Sequence, residues 1–174
     1  MKTGILIFIV VVVVFGGGFL LFGGSKDTFS PSPSSFSGGP EVPDFSLRDI
    51  DGNEVSLDDF KGRPLVLNSW AVWCPFCRKE LPGFALAQKE FGDKVVFIAI
   101  DRAESLEKTT EFTDEIGVTD DLIFLLDPSD SFYRSIGGFS MPETLFVDKS
   151  GVIIEHVRGP LDLDQVREKI KKIL

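Results

Sequence analysis

Residues 65–91 read LVLNSWAVWCPFCRKELPGFALAQKEF, and the organisation of the chain follows from them. Leu65 to Trp70 follows Pro64 as an apolar strand, and Pro75 to Phe91 has the spacing of a helix that Pro82 should kink. Between them lies Trp73-Cys74-Pro75-Phe76-Cys77. Two cysteines three apart in the first turn of a helix face the same way and can close a small disulfide. The unpaired N–H groups and the dipole at a helix N-terminus stabilise a thiolate. Cys74, nearer the helix end, is therefore expected to be the more exposed, attacking thiolate. Cys77, one turn in and more buried, is expected to resolve the mixed disulfide. A structural disulfide is a poor alternative, because so short a loop adds little stability. A zinc site is also poor, because its other ligands are missing.

Outward from this stretch the chain alternates between two periods. Val95 to Ile100 (VVFIAI) is a continuous apolar run, as in a strand covered on both faces. Leu106 to Ile116 reads as a helix, Leu122 to Leu126 as a strand and Ser129 to Ile136 as a short helix. Glu143 to Val147 and Val152 to Val157 are strands joined by Asp148-Lys149-Ser150-Gly151. Asp162 to Ile173 closes the chain as an amphipathic helix, with Asp162 or Asp164 at its start and lysines near its end. Upstream, Asp44 to Leu47 and Glu54 to Ser56 flank the turn Asp51-Gly52 as a hairpin. Strands separated by helices, followed by a terminal hairpin and helix, predict a three-layer α/β/α sheet.

The 174 residues suit one domain of ordinary size with an appendage. From Gly4 to Gly24 no residue is charged; as a helix this stretch would be roughly 31 Å long, enough to span a bilayer. Lys2 beside it favours an N-in orientation. A cleaved signal peptide with Ile5 to Phe15 as its apolar region is the alternative, and both readings export the remainder. The expected organisation is a single transmembrane anchor over residues 1–24, a flexible Gly/Ser/Pro linker over 25–40 and a folded domain over 41–174. Setting aside Lys2, Lys26 and Asp27 takes the net charge from −9 to −10 for the domain. Such an acidic surface argues against a nucleic-acid partner and would be repelled by anionic headgroups. The single histidine, His156, argues against multi-histidine metal sites, and no metal or other cofactor is expected.

Leu67 to Pro82 resembles the active-site stretch of membrane-anchored thioredoxin-like proteins of the TlpA/ResA/CcmG (DsbE) group, often described as redoxins or AhpC/TSA-like. Met141-Pro142-Glu143-Thr144-Leu145-Phe146-Val147-Asp148 is similar to that group's cis-proline loop and following strand. The resemblance covers residues 41–174. It implies a thioredoxin-like fold with an N-terminal β-hairpin extension, and thiol–disulfide exchange on protein substrates. It also implies that Pro142, if cis, lies against the Cys74–Cys77 pair while Met141 offers backbone atoms to the substrate. Trp70 and Trp73 are expected to pack around the thiols, and Trp73, Pro75, Phe76, Met141 and Pro142 to contact substrate. Where thioredoxin has a buried aspartate this chain has Asn68, which takes no proton. Glu80 lies one helical turn past Cys77 on the same face. A glutamate there in the related group is thought to relay protons, and partial burial would raise its pKa suitably.

The resulting expectation is a single-pass protein of the cell membrane, monomeric, with its catalytic domain on the extracytoplasmic side. It would reduce protein disulfides, apocytochrome c cysteines among them, with electrons delivered by a membrane-embedded donor. Pro75 at the first position between the cysteines leaves a thiol oxidant or disulfide isomerase open as an alternative. A peroxiredoxin-like peroxidase would need Thr or Ser where Ala71 stands. A copper carrier would want a wider cysteine spacing and a placed histidine, whereas His156 reads as an exposed strand residue. The phenylalanines read as core, Asp120-Asp121 and Glu41 to Asp44 as solvated charge, and Gly137-Gly138 as a flexible lead into the proline loop.

Overall fold

A computed structural model describes residues 39–174. The anchor expected over residues 1–24, and all but the last two residues of the linker expected over 25–40, lie outside the described residues. Among the described residues no helix is long and apolar enough to cross a membrane.

The described strands are β1 (Ser46–Asp49), β2 (Glu54–Ser56), β3 (Leu65–Trp70), β4 (Val96–Arg102), β5 (Ile123–Asp127), β6 (Glu143–Val147) and β7 (Ile153–Arg158). The α-helices are α1 (Pro75–Phe91), α2 (Leu106–Glu115), α3 (Ser131–Ser135) and α4 (Leu163–Ile173). The strands form one sheet in the order β2-β1-β5-β4-β3-β6-β7. β3 runs parallel to β4, from Leu65 opposite Val96 to Trp70 opposite Asp101, and antiparallel to β6, where Ser69 faces Glu143. These central strands are covered on both faces, which is why they read as unbroken apolar runs.

Side chains alternate between the two faces. Val66, Trp70, Phe97, Ala99, Phe124 and Phe146 meet α1, α2 and α4 on one side. Leu65, Leu67, Ile98, Ile100 and Leu145 meet Phe132 of α3, with Phe45 and Phe60, on the other. This is the expected α/β/α layering. Trp70 is fully buried, its ring 5.1 Å from that of Phe112 and 5.8 Å from that of Phe124. α1 is not broken at Pro82.

Three elements differ from expectation by two residues at an end, for local reasons. β1 starts at Ser46 instead of Asp44 and runs up to the turn, where the Asp49 carboxylate accepts the N–H groups of Asp51 at 3.0 Å and Asn53 at 2.8 Å. β4 continues past Ile100 because Asp101 and Arg102 pair with Leu126 and Asp127. α3 is shorter than expected, as the buried Asp127 carboxylate fixes its start through the N–H groups of Ser131 and Phe132.

α4 begins with a reciprocal cap: Asp162 Oδ1 accepts the Gln165 N–H at 2.8 Å and Gln165 Oε1 accepts the Asp162 N–H at 2.9 Å. Asp162→Ala should lower the urea midpoint by an amount equivalent to about 1 kcal/mol, with the denaturant slope unchanged. An unshifted midpoint would show that α4 is held by packing alone.

Candidate active site

At the C-terminal end of β3 the chain turns through Ala71, whose carbonyl accepts the Cys74 N–H at 3.1 Å, and enters α1. Cys74 is the helix N-cap, its Sγ accepting the Cys77 N–H at 3.1 Å, and Pro75 occupies the first turn, where no N–H is missed. The two cysteines are joined as a disulfide with Cα atoms 5.3 Å apart. Cys74 is not the exposed member of the pair that its position suggests; both residues are buried. The cap geometry turns the Cys74 side chain inward over the first turn.

The surroundings correct a second expectation. Trp70, the last residue of β3, keeps the strand's alternation and enters the core, but Trp73 falls in the following turn and is 64% exposed. Phe76 is 50% exposed and Pro75 is exposed as well, so a rim of apolar side chains stands beside a buried disulfide. Arg78 lies over the Phe112 ring at 4.6 Å and pairs with Glu115 at 2.9 Å.

Glu80 is buried one turn beyond Cys77. Its Oε1 accepts from Asn68 Nδ2 at 2.9 Å, and its Oε2 accepts the Leu161 N–H at 3.1 Å. Burial pushes its pKa up to about 8, and these two donors only partly oppose the rise. Asn68 Nδ2 also donates to Thr144 Oγ1 at 3.0 Å across the β3–β6 pair. Asn68 therefore anchors the carboxyl in place, a role the residue-by-residue reading missed. The available signal was an amide directly after the apolar run Leu65 to Leu67 in a strand expected to be buried, since a buried polar side chain demands a partner. Asp101, at the end of β4 beside Trp70, is a second buried carboxyl. Burial raises its pKa to about 7 against the Glu104 N–H, which donates to Oδ2 at 3.1 Å.

The Met141–Pro142 peptide is cis. Pro142 precedes Glu143, the partner of Ser69, and so lies at the end of the sheet from which the Cys74 loop leaves. Met141 packs against the cluster that contains Cys74 and Cys77. The lead into this loop is tied down, contrary to the flexible Gly137-Gly138 expected. Gly138 N–H donates to the Tyr133 carbonyl at 3.0 Å, and a Cβ at Gly138 would lie 2.4 Å from the Tyr133 ring. Tyr133 Oη–H donates to the Ser140 carbonyl at 2.7 Å. Glu143 Oε1 accepts the N–H groups of Phe139 at 2.8 Å and Ser140 at 2.7 Å.

His156 is also not the exposed residue expected, since its Nε2 lies 2.6 Å from Glu143 Oε2 and only 18% of its side chain is accessible. The β6–β7 register, with Leu145 opposite His156 and Glu143 opposite Arg158, brings both basic groups to that carboxylate. Phe139, 78% exposed over Arg158, joins Phe76 as an exception to reading the phenylalanines as core. A depression of about 240 Å³ lined by Val42, Leu57, Phe60 and Leu65 sits at the Leu65 end of β3, the pole opposite Cys74, and holds no cysteine.

A central sheet, a Cys-x-x-Cys pair capping the helix after β3 and a cis-proline at the same sheet end define a thioredoxin-like thiol–disulfide oxidoreductase. Residues 37–174 match the Redoxin family, and the chain belongs to that family, within its TlpA/ResA/CcmG group. It is 33% identical to the thioredoxin-like protein YneN of Bacillus subtilis over 144 residues, covering 82% of this chain and 84% of the relative. It is 29% identical to the thiol-disulfide oxidoreductase ResA of Bacillus cereus over 177 residues, covering 99% of this chain and 98% of the relative. Among solved structures, MTB dsbF in its mixed oxidized and reduced forms is similar, with a TM-score of 0.71 and 26% identity over 78% of this chain and 99% of that one.

Proposed function

We propose that this protein is a membrane-tethered, extracytoplasmic reductase of protein disulfides, apocytochrome c cysteines before haem attachment among them. The observation that carries the exchange reading is the Cys74–Cys77 disulfide capping α1, with the buried Glu80 carboxyl one turn beyond Cys77. The reducing direction follows the TlpA/ResA/CcmG resemblance, and the potential of the pair decides it. The substrate assignment follows the TlpA/ResA/CcmG resemblance, and the tether follows the apolar run Gly4 to Gly24.

In the forward reaction the Cys74 thiolate attacks one sulfur of the substrate disulfide, forming a mixed disulfide and releasing the first substrate thiolate. Cys77 then gives its proton to the Glu80 carboxylate, and its thiolate attacks Cys74 Sγ. The second substrate sulfur leaves as a thiolate, and two electrons have passed from the Cys74–Cys77 pair to the substrate, with the Cys77 proton left on Glu80. Recharging reverses the order: a donor dithiol in the membrane attacks Cys74 Sγ, and protonated Glu80 returns a proton to the departing Cys77. A carboxyl with a pKa near 8 serves in both directions near neutral pH. The rim of Trp73, Pro75, Phe76 and Met141, with buried Pro142 at the same sheet end, receives the substrate beside the disulfide.

Equilibration of the Cys74–Cys77 pair with a glutathione series tests the direction. A reductase should give a potential at or below about −270 mV, the thioredoxin end of the scale. A value near −120 mV, the DsbA end, would make the protein an oxidant instead.

A further inference from the structure

Glu143 takes no part in the transfers just described, yet its carboxylate is completely buried and engaged on both sides. Oε1 holds the Phe139 and Ser140 N–H groups, while Oε2 meets His156 Nε2 at 2.6 Å and Arg158 Nε at 3.6 Å. Arg102 of β4 and the phenol of Tyr133 of α3 lie within its electrostatic reach. Tyr133 Oη–H holds the Ser140 carbonyl from beneath, so both polar groups of the Ser140 backbone are occupied. The next residue differs. Neither the Met141 N–H nor its C=O makes a hydrogen bond among the described residues, although Met141 packs against the cluster containing Cys74 and Cys77. An unpaired backbone donor and acceptor on a fixed segment is what a polypeptide adding alongside in extended form requires.

We infer that Glu143, together with the Tyr133 hydroxyl, is a positioning residue for polypeptide substrates: the two hold the Phe139–Met141 segment so that the free Met141 N–H and C=O meet the substrate backbone beside the disulfide. The inference deepens the exchange reading and rests on it. Removing the strap leaves the cysteines and Glu80 untouched but lets the Met141 amide and carbonyl wander, so binding of a chain suffers and the chemistry on a small disulfide does not. Two backbone hydrogen bonds of ordinary net strength correspond to about tenfold in affinity.

The test compares two disulfides on the full chain: a short linear peptide closed by one disulfide, and 2-hydroxyethyl disulfide, which has no peptide backbone. Glu143→Ala should raise KM for the peptide about tenfold while leaving its kcat, and the rate with 2-hydroxyethyl disulfide, within about twofold. An unchanged peptide KM, or equal losses on both substrates, overturns the inference. Should Glu143→Ala fail to fold, Tyr133→Phe removes only the hydroxyl strap on Ser140. A peptide KM raised about threefold with kcat unchanged supports the inference, and an unchanged KM overturns it. Wild-type protein inert toward 2-hydroxyethyl disulfide would instead bring down the exchange reading, and this inference with it.

Discussion

Cys77→Ser protein should accumulate in cells as covalent adducts with its substrates. Cys74 can still attack, but the attack that frees the substrate needs a second sulfur 5.3 Å away in Cα–Cα distance, and serine at pH 7 is no such nucleophile. Turnover should fall on the order of 10³-fold or more, as for loss of a nucleophile elsewhere. Non-reducing gels of a Cys77→Ser strain should show new bands that collapse on adding dithiothreitol, and the adduct partners name the substrates. Cys74→Ser should show none of these bands. If Cys74→Ser gives the bands and Cys77→Ser does not, Cys77 is the attacking residue and the assignment of roles is inverted.

Glu80→Gln should slow resolution on the order of 10²-fold, the usual contribution of a positioned general base. It should also change how stability depends on pH. In the folded protein Glu80 holds its proton up to about pH 8, against 4.5 for an ordinary glutamate. The folded state therefore binds this proton more tightly than the unfolded chain. The stability this contributes is complete below about pH 4.5 and is lost progressively as pH rises to 8, for a total of roughly 4–5 kcal/mol as an upper limit. Asp101, raised from 3.8 to about 7, acts with the same sign over the lower part of that window. Wild-type protein should thus melt at a higher temperature at pH 5 than at pH 8, and Glu80→Gln should remove most of that difference even if its overall stability is lower. A Glu80→Gln melting curve with the wild-type pH slope would mean that the carboxyl is ionised in the fold and cannot shuttle protons as described.

Both predictions concern residues that were legible before any coordinates. The Cys74–Cys77 spacing, the apolar strand before it and the helix after it suffice to place two sulfurs at a helix N-terminus, because each of these signals is local. Glu80 was legible for the same reason: three residues along a helix keeps a side chain on one face. The layering was legible as well, since alternating strand and helix periods leave few ways to cover a central sheet.

What stayed hidden depends on where distant segments meet. The degree of burial at Cys74, Trp73 and His156 was misjudged in each case, since exposure is a property of what packs from elsewhere and not of position along an element. Asn68 and Leu161 hold Glu80 from residues 12 earlier and 81 later in the chain. Glu143 became the strap of the proline loop only when β7 brought His156 and Arg158 to its far side. The two glycines before Phe139 suggested freedom, and the neighbouring tyrosine ring removed it. The sequence by itself determined which atoms exchange electrons, because a nucleophile and the helix end that activates it are neighbours in the chain. Only the tertiary structure decided how those atoms are shielded and which buried carboxyl stands beside them, because burial and long-range hydrogen bonds come from strand pairings that no local pattern encodes.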